Sequence, residues 1–368
     1  MVDKDYCFQT RLIHNKHKYD PITGGLAVPI QNASTFHQFD VDDFGTYDYA
    51  RSGNPTRGAL EEMIAELEGG VCGFAFASGM AAISTALLLL STGDHIVMTE
   101  DVYGGTYRFT TEVLTRYNIA YTFVDMTNFD QVKAAIKPNT KAFYVETPSN
   151  PTLKITNIKA IAEIAKEVGA LTFADNTFFT PALKRPLELG ADIVLHSATK
   201  FLGGHSDVIA GLAVVKDVAL GQRLKFLQNA FGAVLGPHDC WLVMRGIKTL
   251  HVRIEAASKG AKKMADYLLV HPKVKAVYYP EMGAVLSFEL ADYEALKKFH
   301  QHVKIPAFAV SLGGVESILS YPAKMSHAAM PLEERKKRGI TNRLLRLSVG
   351  LENIDDLIAD FEQALAYV

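Results

Sequence analysis

The chain is poor in cysteine. Cys7, Cys72 and Cys240 are scattered over 368 positions, and no two form a CxxC pair. That spacing argues against structural zinc, and lone thiols suit a reducing cytoplasm. Long apolar runs are also lacking. The longest, around Ala81 to Leu90, is well short of the roughly 20 residues a membrane helix needs. The first residues carry no apolar signal core, so a cytoplasmic location is expected. Neither sign of charge is in excess: 38 Lys and Arg stand against 40 Asp and Glu, a net −2. That balance gives no reason to expect nucleic acid or an anionic membrane as a partner. GxGxxG and GxxxxGK[ST] are both absent, so dinucleotide and P-loop readings lack their fingerprints. His196 and His205 have no second ligand at a convincing spacing, so they read as packing or hydrogen-bonding residues and no metal is expected. There is no internal repeat and no low-complexity segment.

What is present suits a soluble globular enzyme: 48% hydrophobic and 21% charged residues. The length predicts one large domain plus a smaller one. Residues 1–55 lack a strong period and carry turn pairs such as Asp20-Pro21 and Gly24-Gly25, so they read as an arm. A helix fits Pro55 to Glu68, because Leu60, Met63, Ile64 and Leu67 fall on one face and Gly69 can close it. Short apolar runs then alternate with helical ones. Strands are expected at 71–76, 95–98, 120–124, 141–145, 171–174 and 193–196. Helices are expected at 78–90, 105–116, 129–136 and 158–168. Such alternation predicts an α/β sandwich around a mostly parallel sheet, with sites at the strand C-termini. A long helical stretch from about Asp239 leads into a smaller α+β region. The expected division is 1–55, 56–245 and 246–368.

The chemistry concentrates in Ser197-Ala198-Thr199-Lys200, after one strand, and Asp175-Asn176-Thr177, after the strand before it. A lysine, an acid and hydroxyl donors so placed suit pyridoxal 5′-phosphate (PLP). PLP needs an amine for its aldehyde, an anion beside its ring nitrogen and neutral donors for its phosphate. Asp175 is either a turn former or the anion that keeps the ring nitrogen protonated, an effect worth roughly 1–3 pKa units. Lys200 would carry the cofactor and later shuttle protons. Ser78-Gly79-Met80 opens a helix; Ser78 is either only its N-cap or part of a phosphate site. Arg51 offers a fork of donors to phosphate, or is a solvated loop residue. Tyr103 could stack on a cofactor or close the core. Arg346 lies within the apolar run 344–349. A buried arginine needs an anion, and a substrate carboxylate would serve.

The segments YARSGNPT (49–56), SGMAA (78–82), YGGTYR (103–108), ETPSNP (146–151), DNT (175–177), SATKFLGGH (197–205), SLGGVES (311–317) and RLSVG (346–350) resemble the Cys/Met-metabolism PLP enzymes, in order and over nearly the whole chain. The resemblance implies PLP fold type I and a homotetramer built from two tight dimers. It implies that Lys200 holds PLP, Asp175 pairs with the ring nitrogen, and Tyr103 stacks on the ring and assists proton transfer. Gly79, Met80, Ser197 and Thr199 would bind phosphate, and Tyr49 and Arg51 would reach a neighbouring subunit's phosphate. Asn150, Ser311 and Arg346 would hold the substrate carboxylate, with Asn150 also near the cofactor.

The implied activity is carbon–sulfur lysis of sulfur amino acids. Gly105 stands where methionine γ-lyases carry a cysteine, which argues against that member. Asp48 and Glu316 match the acidic residues of cystathionine γ-lyases and γ-synthases, and both could meet the distal amino group of cystathionine. α,γ-Elimination of cystathionine is therefore the expected reaction. γ-Replacement of the synthase or O-acylhomoserine type and β-elimination are the alternatives. A PLP-binding regulatory protein without turnover is disfavoured, because Arg346, Tyr103, Asn150 and Ser311 are all present. One departure stands out. Relatives carry a His-Pro and a lysine-rich helix after the segment resembling 277–280, whereas here Pro280 runs almost directly into Gly283. Intact flanking motifs favour a loop omitted from the sequence over a true deletion.

Overall fold

In the computed structural model, which describes residues 6–14 and 19–368, two β-sheets organise the chain. The first has seven strands: β1 (Cys72–Phe76), β2 (His95–Thr99), β3 (Ala120–Val124), β4 (Thr140–Glu146), β5 (Leu171–Asp175), β6 (Ile193–Ser197) and β7 (Gly211–Val215). Their spatial order is β1-β7-β6-β5-β4-β2-β3. β3, β2, β4, β5 and β6 run parallel, while β7 is antiparallel to both β6 and β1. The sheet is thus mostly parallel, as the alternation predicts.

Both faces of this sheet are buried, which explains the unbroken apolar strands. Along β7, Leu212 and Val214 enter one core while Ala213 and Val215 enter the opposite one. The helix Pro55–Glu68 has the predicted bounds. Asn54 caps it by accepting from the Thr56 and Arg57 N–H groups, and Gly69 ends it at φ 77°. Leu60, Met63, Ile64 and Leu67 form its buried face.

The second sheet comprises β8 (Ala276–Tyr278), β9 (Val285–Glu289), β10 (Ala307–Phe308), β11 (Ile318–Ser320) and β12 (Leu344–Ser348), ordered β10-β11-β12-β9-β8. Its core holds Phe288, Phe299 and Phe361. The helix Leu250–Val270 bridges the two cores: Leu250, Ile254 and Ala257 lie in the first, and Ala261, Met264 and Leu268 in the second. The short junction after Pro280 is a turn between β8 and β9, with Glu281 at φ 61° and Gly283 at φ 82°. Among the described residues, no helix is long and apolar enough to cross a membrane, and no His, Cys, Asp and Glu group is arranged to hold a metal.

Candidate active site

The C-terminal ends of the parallel strands lie side by side. Glu146 at the end of β4 is opposite Asp175 at the end of β5, and Ser197 ends β6. A cavity of about 510 Å³ opens above them, closed on its far side by β12 and the 310–312 segment. Its walls include Gly79, Met80, Tyr103, Asn150, Asp175, Ser197, Thr199, Lys200, Ser311 and Arg346, all singled out from the sequence.

Lys200 is the only lysine lining this cavity among the described residues, and its Nζ donates to Ser311 Oγ at 2.6 Å. Burial, reinforced by the Arg346 charge, pushes its amine down to about 8. Ser311 sits at φ 90°, a backbone region costing a non-glycine residue about 1–3 kcal/mol. That conformation turns both of its oxygens to use: the hydroxyl meets Lys200 and the carbonyl accepts from Arg346 Nη2 at 2.8 Å.

Arg346 is buried in β12. Nη1 donates to Asn150 Oδ1 at 2.8 Å, and Nη2 also reaches Ser320 Oγ at 3.2 Å. No carboxylate forms a salt bridge with it among the described residues, and its Nε has no partner. Burial lowers the guanidinium to about 10, against the Tyr103 and Glu146 charges that raise it, and it remains a cation at neutral pH. A buried cation whose contacts are neutral oxygens, with one donor spare, is suited to an incoming anion.

Asp175 has the opposite deficit. Its carboxylate accepts from the Thr177 N–H and Tyr144 OH, both at 3.1 Å, and among the described residues no lysine or arginine pairs with it. Burial pushes it up, against those hydrogen bonds and the His196 charge. A cationic ring N–H is what this carboxylate lacks. At the other end, the Gly79–Leu87 helix points its first turn into the cavity, where N–H groups have no intrahelical partner. Ser78 is the N-cap, accepting from Ala81 N–H at 3.0 Å, and it also lines the cavity. Gly79 is required by close approach: a Cβ there would lie 2.8 Å from Ser197 Cβ. Spare amine, unpaired buried acid and free helix terminus together fit PLP.

Four predicted residues lie elsewhere. Glu316 lines an adjoining cavity of about 500 Å³ that shares Thr199, Ile209, Val310 and Ser311 with the first. It accepts from Ser206 Oγ. Asp48, Tyr49 and Arg51 do not line either cavity. Arg51 instead donates to Asn229 O at 2.8 Å and stacks over the Tyr49 ring at 5.5 Å.

Glu146, Thr177 and Arg108 are among the cavity residues left without a role by the sequence reading. Glu146 accepts the Tyr103 N–H at 2.8 Å and is pushed well up, first by burial and then by the Asp175 charge. Thr177 Oγ1 accepts the Ser197 N–H at 2.8 Å, tying the Asp175 turn to the Lys200 turn. Arg108 lines the outer wall. Each is the first or last residue of a motif already quoted, which was the available signal.

The family model described as Cys/Met metabolism PLP-dependent enzyme matches residues 9–366. A cystathionine beta-lyase MetC of Bacillus subtilis (strain 168) is 64% identical over 381 aligned residues, covering 99% of this chain and 98% of its own. That alignment is longer than this chain's 368 residues, so the relative has residues that this chain lacks. A cystathionine gamma-lyase of the same organism is 49% identical, with 97% and 98% covered. Among solved structures, a cystathionine gamma-lyase from Lactobacillus plantarum complexed with L-serine superimposes with a TM-score of 0.96 at 46% identity, covering 99% of both chains.

Proposed function

We propose, from the premise that the chain belongs to the Cys/Met-metabolism PLP-dependent enzymes, that it cleaves cystathionine chiefly at the Cβ–S bond. It is a PLP-dependent carbon–sulfur lyase of the cystathionine lyase and synthase family. The expectation of γ-elimination gives way to β-elimination because relatives at 64% and 52% identity are named cystathionine β-lyases, whereas the named γ-lyase stands at 49%. γ-Elimination is the second reading, favoured by the γ-lyase structural likeness and by the presence of Asp48 and Glu316.

The observation that carries the lyase mechanism is the Lys200–Ser311–Arg346 chain of contacts. Arg346 would take the substrate α-carboxylate, with Asn150 and Ser311 fixing the guanidinium plane. That would hold Cα near Lys200 Nζ. PLP, when bound, supplies the carbonyl that captures the substrate amine and a ring that withdraws electrons from Cα. Lys200, with its amine near 8, is partly unprotonated at neutral pH and is the base for the Cα proton. Asp175 would hold the ring N–H, and Gly79, Met80, Ser197 and Thr199 the phosphate. Tyr103, 40% exposed with its backbone N–H pinned by Glu146, would cover the ring's outer face. Lys200 Nζ or Tyr103 OH then protonates the departing thiolate. β-Elimination yields homocysteine, pyruvate and ammonia; γ-elimination yields cysteine, 2-oxobutanoate and ammonia. Incubating the enzyme with cystathionine should give mainly pyruvate. Mainly 2-oxobutanoate would return the assignment to γ-elimination.

The arm supports a shared active site in an assembly of four chains. Leu26, Phe39, Val41 and Phe44 are largely exposed, and Arg51 lies outside its own chain's cavity. Tyr49 and Arg51 would then bind a neighbour's phosphate. Arg51→Ala should weaken PLP retention about tenfold or more, the loss of one charge-assisted contact. Equilibrium dialysis checks this, and a monomer retaining PLP as tightly as the assembled wild type would contradict it.

A further inference from the structure

Asp101 takes no part in the chemistry above and does not line the cavity. It is nonetheless buried between two segments that do. It follows β2 and stands two residues before Tyr103. Across from it is the loop that follows β4 and carries Asn150. The Asp101 carbonyl accepts the Asn150 N–H at 3.2 Å. One carboxylate oxygen accepts from Ser149 Oγ at 2.5 Å and also from Thr152 Oγ1. The residues on both sides of Asn150 are therefore tied to a single aspartate.

Asn150 has one further side-chain contact of consequence, the acceptor bond from Arg346 Nη1. A guanidinium rotates about its own stem, and β12 alone fixes only where that stem begins. Its orientation comes from Asn150 on one side and from Ser311 and Ser320 on the other. Loss of the Asn150 acceptor would let the fork turn within the cavity it lines.

We propose that Asp101 is a positioning residue, whose carboxylate and carbonyl hold the 149–152 loop so that Asn150 keeps Arg346 aimed at the substrate carboxylate. The inference rests on the reading of Arg346 as that anchor. A second link, Tyr103 N–H to Glu146, joins the same two segments without Asp101.

The test uses PLP-loaded enzyme and glycine, an amino acid with a carboxylate but no leaving group. Binding is read from the change it causes in the visible spectrum. Asp101→Ala should weaken glycine binding strongly and lower kcat/KM for cystathionine about 100-fold, mostly through KM, as expected for displaced positioning. The spectrum of the enzyme without amino acid should be unchanged. Asp101→Asn, which keeps an acceptor oxygen, should recover most of the loss. Should Asp101→Ala fail to fold, Thr152→Val removes one clamp donor and should weaken glycine binding several-fold. Glycine binding unchanged in whichever of these two variants folds, while Arg346→Lys impairs it, overturns the role of Asp101. Unchanged binding in Arg346→Lys would instead overturn the anchor reading beneath it.

Discussion

Lys200→Ala is expected to lose the visible absorption of bound cofactor and about 10²–10⁴-fold or more in kcat, the range for removing a positioned base. Among the described residues no other lysine lines the cavity, so none of their amines can replace it. Among the described residues its amine hydrogen-bonds Ser311 Oγ alone, so its removal should leave the fold intact. Adding a small amine should restore part of the proton transfer but not the covalent hold. A variant with the wild-type spectrum and turnover would sink the role assigned to Lys200.

Arg346→Lys carries the second large effect. The guanidinium serves three neutral oxygens and keeps a spare donor, and a lysine ammonium cannot match that planar geometry. A charge-assisted hydrogen bond is worth about 1.5–3 kcal/mol, so losing one of a pair should cost roughly ten- to a hundredfold in kcat/KM. The loss should be common to every amino-acid substrate, and the cofactor spectrum should stay. If Arg346→Lys lowers Tm while kcat/KM stays near wild type, the residue is structural. Among the described residues no protein carboxylate pairs with Arg346, which already weighs against that outcome.

The sequence was most legible where local signals agree. Pro55 and Gly69 mark the ends of one helix, and its apolar face repeats at helical spacing. β3 likewise falls at its expected bounds, 120–124. β7 and the Val218–Phe231 helix were missed. β7 breaks the parallel alternation by running antiparallel between β1 and β6, and its five apolar residues carry no period. β10 and β11 have only two and three residues, too few for a pattern.

The candidate site was legible as residue types in motifs, not as contacts. Lys200, Asp175 and Arg346 follow from the chemistry that an amine, an acid and a buried cation supply. The work of Glu146 and Asp101 is set by partners far along the chain: Glu146 meets a backbone N–H 43 residues before it, and Asp101 meets hydroxyls 48 and 51 residues after it. No local spacing encodes such pairs. The backbone of Ser311 is equally hidden, since its left-handed conformation is imposed by packing against Lys200 and Arg346 rather than by its own preference.

The central claim is that Lys200 holds the cofactor in this cavity. Reducing the PLP-loaded enzyme with borohydride fixes the cofactor to whichever amine carries it, and peptide mass spectrometry then locates it. The account predicts a single modified peptide, with the added mass on Lys200. Modification of another lysine, with Lys200 unmodified, would contradict it.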